Sequence, residues 1–170
     1  MKIKRNILLN PGPATTSDTV KHAMMVPDIC PREKEFGLLM DGIRNDLVKV
    51  VHGEDDHVAV LFTSSGTGGV EAALTSAVPH GKKILIVDNG AYGTRMNSIA
   101  RTFGMDVVLY RIPYGNYPVP EEIEKLILLN DGISHLAVVH HETTTGMLNP
   151  VGEISALAHR SNEPIFITRN

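Results

Sequence analysis

Apolar residues along this chain fall into two alternating patterns: short unbroken runs, and longer stretches in which they recur every three or four positions. The runs at 7–9, 58–62, 83–87, 107–111, 135–139 and 165–167 are mostly β-branched residues and leucine, the composition of strands buried on both faces. Residues 32–51 place Phe36, Leu39, Met40, Ile43, Leu47, Val50 and Val51 on one continuous helical face, with Pro31 suited to a first turn. Stretches 69–78, 92–103, 121–129 and 151–159 follow with helical spacing, two of them announced by Pro120 and Pro150. Strand followed by helix, several times over, is the rhythm of a parallel sheet with crossover helices, so the pattern predicts an α/β fold of three layers.

Composition narrows the class without changing it. The chain has 170 residues, 42% hydrophobic and 21% charged, enough apolar material for one core and far from the make-up of a disordered segment. A net charge of −3 gives no basic field for a phosphate backbone, and nucleic acid is not an expected partner. Cys30 is the only cysteine, which rules out an internal disulfide framework or a cysteine-rich zinc site and fits a reducing compartment, with the cytoplasm as the expectation. No run approaches twenty apolar residues, so neither a membrane span nor a signal-peptide core is expected.

Ligands of open parallel sheets gather beyond the C-terminal ends of the strands, and three of the loops there carry unusual residues. The first, Thr63-Ser64-Ser65-Gly66-Thr67-Gly68-Gly69, runs small and hydroxyl-bearing residues into a helix. Unpaired N–H groups at the helix start and glycines that admit a ligand to the backbone make an anion cradle; an ordinary helix cap reads equally well from this stretch alone. The absence of Gly-Lys-Ser/Thr argues against a nucleotide P-loop. The second loop, Asp88-Asn89-Gly90-Ala91-Tyr92-Gly93, sets Tyr92 at a helix start, where its ring can stack on a planar ligand or simply cap the helix. The third, His140-His141-Glu142-Thr143-Thr144-Thr145-Gly146, crowds donors and acceptors at a strand end. Its His-His-Glu run is not expected to hold a metal, because adjacent strand residues point to opposite faces and no His-Glu-x-x-His spacing is present. No Gly-x-Ser-x-Gly elbow marks a serine hydrolase.

Taken in order, Asn10-Pro11-Gly12-Pro13, Val26-Pro27-Asp28-Ile29-Cys30-Pro31-Arg32-Glu33, Ser65-Gly66-Thr67-Gly68-Gly69-Val70-Glu71-Ala72, Asn89-Gly90-Ala91-Tyr92-Gly93 and Glu142-Thr143-Thr144-Thr145-Gly146 resemble the 2-aminoethylphosphonate–pyruvate transaminase family. That family lies among the fold-type-I pyridoxal-phosphate aminotransferases, in the branch that includes alanine–glyoxylate transaminase. The likeness runs from about Ile7 to about Phe166 and covers the N-terminal half of such an enzyme, so residues 1–170 are expected to form part of its large domain, without the small C-terminal domain. The resemblance implies pyridoxal 5'-phosphate as cofactor. It implies Ser65, Gly66 and Thr67 at the cofactor phosphate, Tyr92 stacked on the pyridine ring, Thr143 near the ring's 3-oxygen, and Gly12 in a loop on the substrate side. It also implies 2-aminoethylphosphonate and pyruvate as substrates, and a homodimer or larger assembly.

Two features of the family pattern are not met. The aspartate that keeps the pyridine nitrogen protonated falls on Thr168 or Arg169, neither of them acidic. The lysine that bonds the cofactor is expected beyond Asn170, so no catalytic residue is assigned and this chain alone is not expected to turn over. The alternatives are a non-catalytic remnant that binds pyridoxal phosphate or a phosphonate, a chain completed by a second polypeptide, and a remnant with no ligand.

Overall fold

The computed structural model describes residues 6–160 in full and, for 165–168, the backbone alone. The expectations placed on the side chain of Thr168 and on Arg169 lie outside the described residues. The chain divides into two units, 1–62 and 63–170.

Among its described residues the first unit holds two helices. Helix α1 (Asp18–Ala23) is capped by Ser17, whose hydroxyl accepts from the Val20 N–H at 3.2 Å. Helix α2 (Lys34–Val50) is the predicted helix, but its N-cap is Glu33 and Pro31 lies before it rather than in its first turn. None of its residues is buried: Leu39, Ile43 and Leu47 on the apolar face are all exposed. The runs at 7–9 and 58–62 are not strands. A strand needs a neighbour for its N–H and C=O groups, and neither segment is paired to one. Residues 58–62 are instead tied to α2 by Arg44, whose Nε donates to the Ala59 carbonyl at 2.9 Å, and Val58, Val60 and Phe62 are exposed.

The second unit has the predicted architecture. Helix α3 (Gly66–Ala77) leads to β1 (Lys83–Asp88), α4 (Ala91–Thr102), β2 (Asp106–Arg111), α5 (Pro120–Leu129) and β3 (Ile133–Val139). Two short strands, β4 (His141–Glu142) and β5 (Met147–Leu148), form an antiparallel ribbon before α6 (Val151–Arg160) and β6 (Ile165–Thr168). The main sheet has the order β2-β1-β3-β6, all parallel. Strands β1 and β3 are apolar on both faces because both are covered. On one face Ile84, Ile86, Ala137 and Val139 pack with Leu74 of α3 and with Met96 and Ala100 of α4. On the other, Leu85, Val87, Leu136 and Val138 pack with Ile123 of α5 and with Ile154 and Leu157 of α6. Among the described residues no helix is long and apolar enough to cross a membrane.

The topology fixes where a ligand fits. From β1 the chain crosses to β2 through α4 on one face, then returns past β1 to β3 through α5 on the other. The strand order therefore reverses between β1 and β3, and the crevice at their C-terminal ends is the topological switch point.

Candidate functional site

The loops leaving β1 and β3 flank that crevice and are held by buried polar side chains. Asp88, Asn89, Glu142 and Asn149 are all buried, and each is fully used. Asp88 closes β1; its Oδ1 accepts from the Thr94 hydroxyl at 2.8 Å, and its Oδ2 accepts from Arg111 Nε and Nη2, both at 2.9 Å. Asn89 and Asn149 exchange amide hydrogen bonds at 2.8 and 3.3 Å, and Asn149 Nδ2 also donates to the Val139 carbonyl at 2.7 Å. This pair ties the end of β1 to the end of β3.

Glu142 does the same for helix α4. Its Oε2 accepts from the Tyr92 N–H at 3.1 Å, its Oε1 accepts from the Thr144 hydroxyl at 2.5 Å, and Thr144 Oγ1 in turn accepts from the Ala91 N–H at 3.3 Å. A carboxylate at a helix N-terminus meets both the unpaired N–H groups and the positive end of the dipole. The space it needs comes from Gly90, the N-cap of α4, where a Cβ would lie 2.1 Å from Glu142 Cγ, 2.2 Å from Cδ and 2.6 Å from Oε2. Gly93 allows the first turn of α4 to sit on the end of β1, since a Cβ there would lie 2.7 Å from the Val87 carbonyl oxygen.

Three of the five residues predicted to hold the cofactor lie at the start of α3. The helix begins at Gly66, three residues earlier than the apolar spacing indicates, so Gly66 and Thr67 are in its first turn and Ser65 is the N-cap. Gly68 and Gly69 both donate their N–H to the Ser65 carbonyl, at 2.9 and 3.3 Å. The Ser65 hydroxyl makes no cap bond and no acidic residue sits in the first turn. Open space lies where a Cβ on Gly66 or Gly69 would go. Tyr92 is half-buried in the first turn of α4, and Thr143 is half-buried in the β4–β5 turn, next to Glu142. Gly12 is an exposed loop residue of the first unit.

Arg95 links two parts of this set. Its Nη1 donates to Thr67 Oγ1 at 3.2 Å, and its Cζ lies 5.0 Å from the centroid of the Tyr92 ring. The sequence assigns no role to Arg95, Asp88, Asn89 or Asn149, and offers Glu142 as one of several donors and acceptors at a strand end, in a run not expected to hold a metal. A polar residue at the end of a buried apolar strand was the signal available for Asp88 and Asn89.

The arrangement fits a phosphorylated aromatic cofactor. Hydroxyls and free N–H groups at a helix start suit a phosphate, an aromatic side chain suits a planar ring, and a neighbouring hydroxyl suits a ring substituent. The lysines of the second unit lie elsewhere. Lys83 begins β1, at the opposite edge of the sheet, and Lys82 lines a cavity of about 470 Å³ at that same edge with His80, Phe103 and Asp106. Lys125, in α5, donates to Glu122 at 2.7 Å; this bond, with the attraction of the carboxylate, holds its ammonium above the usual lysine value.

Known proteins resemble this chain over most of its length. A 2-aminoethylphosphonate–pyruvate transaminase of Klebsiella pneumoniae is 42% identical over 168 residues, which are 98% of this chain and 46% of the relative. One of Syntrophobacter fumaroxidans is 44% identical over 161 residues, 95% of this chain and 43% of the relative. The chain thus spans under half the length of the relatives it matches. Among solved structures, alanine–glyoxylate aminotransferase from Nostoc sp. superposes with a TM-score of 0.85 at 29% identity, over 98% of this chain and 44% of that one. Pyridoxamine–pyruvate aminotransferase from Mesorhizobium loti shares the fold, with a TM-score of 0.86 at 20% identity over 97% and 42%. The sequence pattern of the aminotransferase class-V family matches residues 21–168, and the chain belongs to that family.

Proposed function

We propose that this chain supplies the cofactor-holding part of a 2-aminoethylphosphonate–pyruvate transaminase, in which an amino group passes from 2-aminoethylphosphonate to pyruvate to leave phosphonoacetaldehyde and alanine. The observation that carries the proposal is the convergence of Tyr92, Glu142 and Thr143 on the switch point of the sheet, in a chain whose relatives of that name are 42% and 44% identical. Pyridoxal phosphate, when bound, supplies the electron sink for amino transfer. The hydroxyls of Ser65 and Thr67 and the N–H of Gly66 donate to its phosphate, where the helix dipole favours negative charge. Tyr92 stacks on the ring and the Thr143 hydroxyl bonds the side bearing the 3-oxygen. Gly12 belongs to the substrate side. Glu142 holds the Tyr92 backbone, so the ring-bearing residue is fixed to the sheet rather than to a loose loop.

The proton-moving lysine is the part the second unit does not provide, since Lys82 and Lys83 face the other edge of the sheet and Lys125 is a paired ammonium. This favours a second reading of the same site: the chain by itself binds pyridoxal phosphate without chemistry, and a further polypeptide segment completes it. The same proposal takes the chain to the cytoplasm and to a dimer or larger assembly.

Titration with pyridoxal phosphate, borohydride reduction and peptide mapping test it together with an assay of alanine from 2-aminoethylphosphonate and pyruvate. The expected result is saturable binding, no adduct on a defined lysine and no alanine from this chain alone. A single reduced lysine with turnover would refute the division of labour, and no binding at millimolar cofactor would refute the cofactor site.

A further inference from the structure

The placement of Arg95 is electrostatically incomplete. Its guanidinium bonds the Thr67 hydroxyl in the first turn of α3, at the positive end of a helix that has no acidic residue in that turn and no side-chain cap from Ser65. A cation and a helix N-terminus repel, and a neutral hydroxyl offsets little of that. The contrast with α4 is direct, because there the positive end meets the Glu142 carboxylate. The Thr63–Gly69 stretch carries no basic side chain of its own, so Arg95 is the cation the structure brings to it. Among the described residues its other contact is the π-face of Tyr92, a resting place for a guanidinium that no described carboxylate pairs.

We propose that Arg95 is an anion-binding residue of the cofactor site: with the start of α3 it takes a dianionic phosphoryl group, and occupancy draws its guanidinium off the Tyr92 ring. The inference rests on the cofactor site proposed above. The phosphoryl group is assigned to the cofactor rather than to a phosphonate substrate because the contact is to Thr67, on the cradle itself. Arg95 is exposed and its fork of donors can meet two phosphate oxygens, which a lysine in its place cannot do in the same plane.

The test compares the full chain with Arg95→Gln and Arg95→Lys, following pyridoxal phosphate, pyridoxal, inorganic phosphate and 2-aminoethylphosphonate by tyrosine emission, with Tyr92→Phe as the control that assigns the signal. In Arg95→Gln the affinity for pyridoxal phosphate is expected to fall about tenfold or more, as for loss of a charged hydrogen bond, with a flatter salt dependence. Pyridoxal, which lacks the phosphate, is expected to bind as in the unaltered chain. Arg95→Lys is expected to recover part of the loss. Inorganic phosphate alone is expected to change the Tyr92 emission of the unaltered chain and not of Arg95→Gln. Equal weakening toward pyridoxal and pyridoxal phosphate, or unchanged affinity for both, would overturn the role of Arg95 while leaving the cofactor site standing. A larger loss toward 2-aminoethylphosphonate than toward pyridoxal phosphate would overturn its assignment to the cofactor. An unaltered chain that binds no pyridoxal phosphate would overturn the cofactor site itself. In that case a phosphate response lost in Arg95→Gln would still support an anion site at Arg95, and no phosphate response would overturn it.

Discussion

Gly90 and Glu142 occupy one space. Gly90→Ala puts a methyl group into the buried carboxylate, and the expected result is a loss of about 1–3 kcal/mol, typical of overpacking, read as a lower thermal midpoint. Glu142→Ala removes the acceptor of the Tyr92 N–H and the partner of the Thr144 hydroxyl, and is expected to cost a similar amount, about 1–3 kcal/mol by denaturant titration. The double change Gly90→Ser with Glu142→Ala exchanges this remote cap for a local one and is expected to recover about 0.5–2 kcal/mol of the loss, the usual worth of a serine N-cap. At this scale the sequence displayed residue types but not partners. Ser65, Gly66, Thr67, Tyr92 and Thr143 stand out because their chemistry suits a known ligand. Arg95 and Asn149 do not stand out, since a lone arginine on a helix and an asparagine before a proline are common, and only the folded sheet sets Arg95 beside Thr67 and Asn149 beside Asn89.

Elements were legible where apolar residues keep one period: strands covered on both faces in the second unit, and helices with one apolar face, α2 of the first unit included although that face is exposed. Strands β1, β2 and β3 lie within a residue or two of the apolar runs that indicate them, because a doubly covered parallel strand has no room for polar side chains. The run at 58–62 has the same composition and is not a strand, as composition reports a preference for burial and not the presence of a partner to bond. The β4–β5 ribbon has no signature in the sequence because two-residue strands carry no period. Central β1 is the element on which the rest depends, with β2 and β3 as its neighbours and α4 across its end. Ile86→Ala in its middle is expected to cost about 2–5 kcal/mol, and loss of cooperativity in a denaturant melt of the second unit should accompany it. A change below about 1 kcal/mol would contradict the packing described for that face.

For the whole molecule, the contrast between the two units matters most. The second has two continuous cores, one on each side of its sheet, whereas the first exposes Leu38, Leu39, Ile43 and Leu47 along α2 and Val58, Val60 and Phe62 beyond it. Apolar surface of that kind promotes association, and sedimentation is expected to find a dimer or larger species; a clean monomer at high concentration would count against this. One consequence concerns synthesis. The acceptor for the Tyr92 N–H is 50 residues downstream, so when α4 leaves the ribosome its first turn has no cap. Tyr92 is fixed only after β3 has joined the sheet and residue 142 has followed it. The crevice between β1 and β3 is therefore completed late, and a nascent chain stopped before Glu142 would have the helix but not the acceptor that holds the Tyr92 N–H.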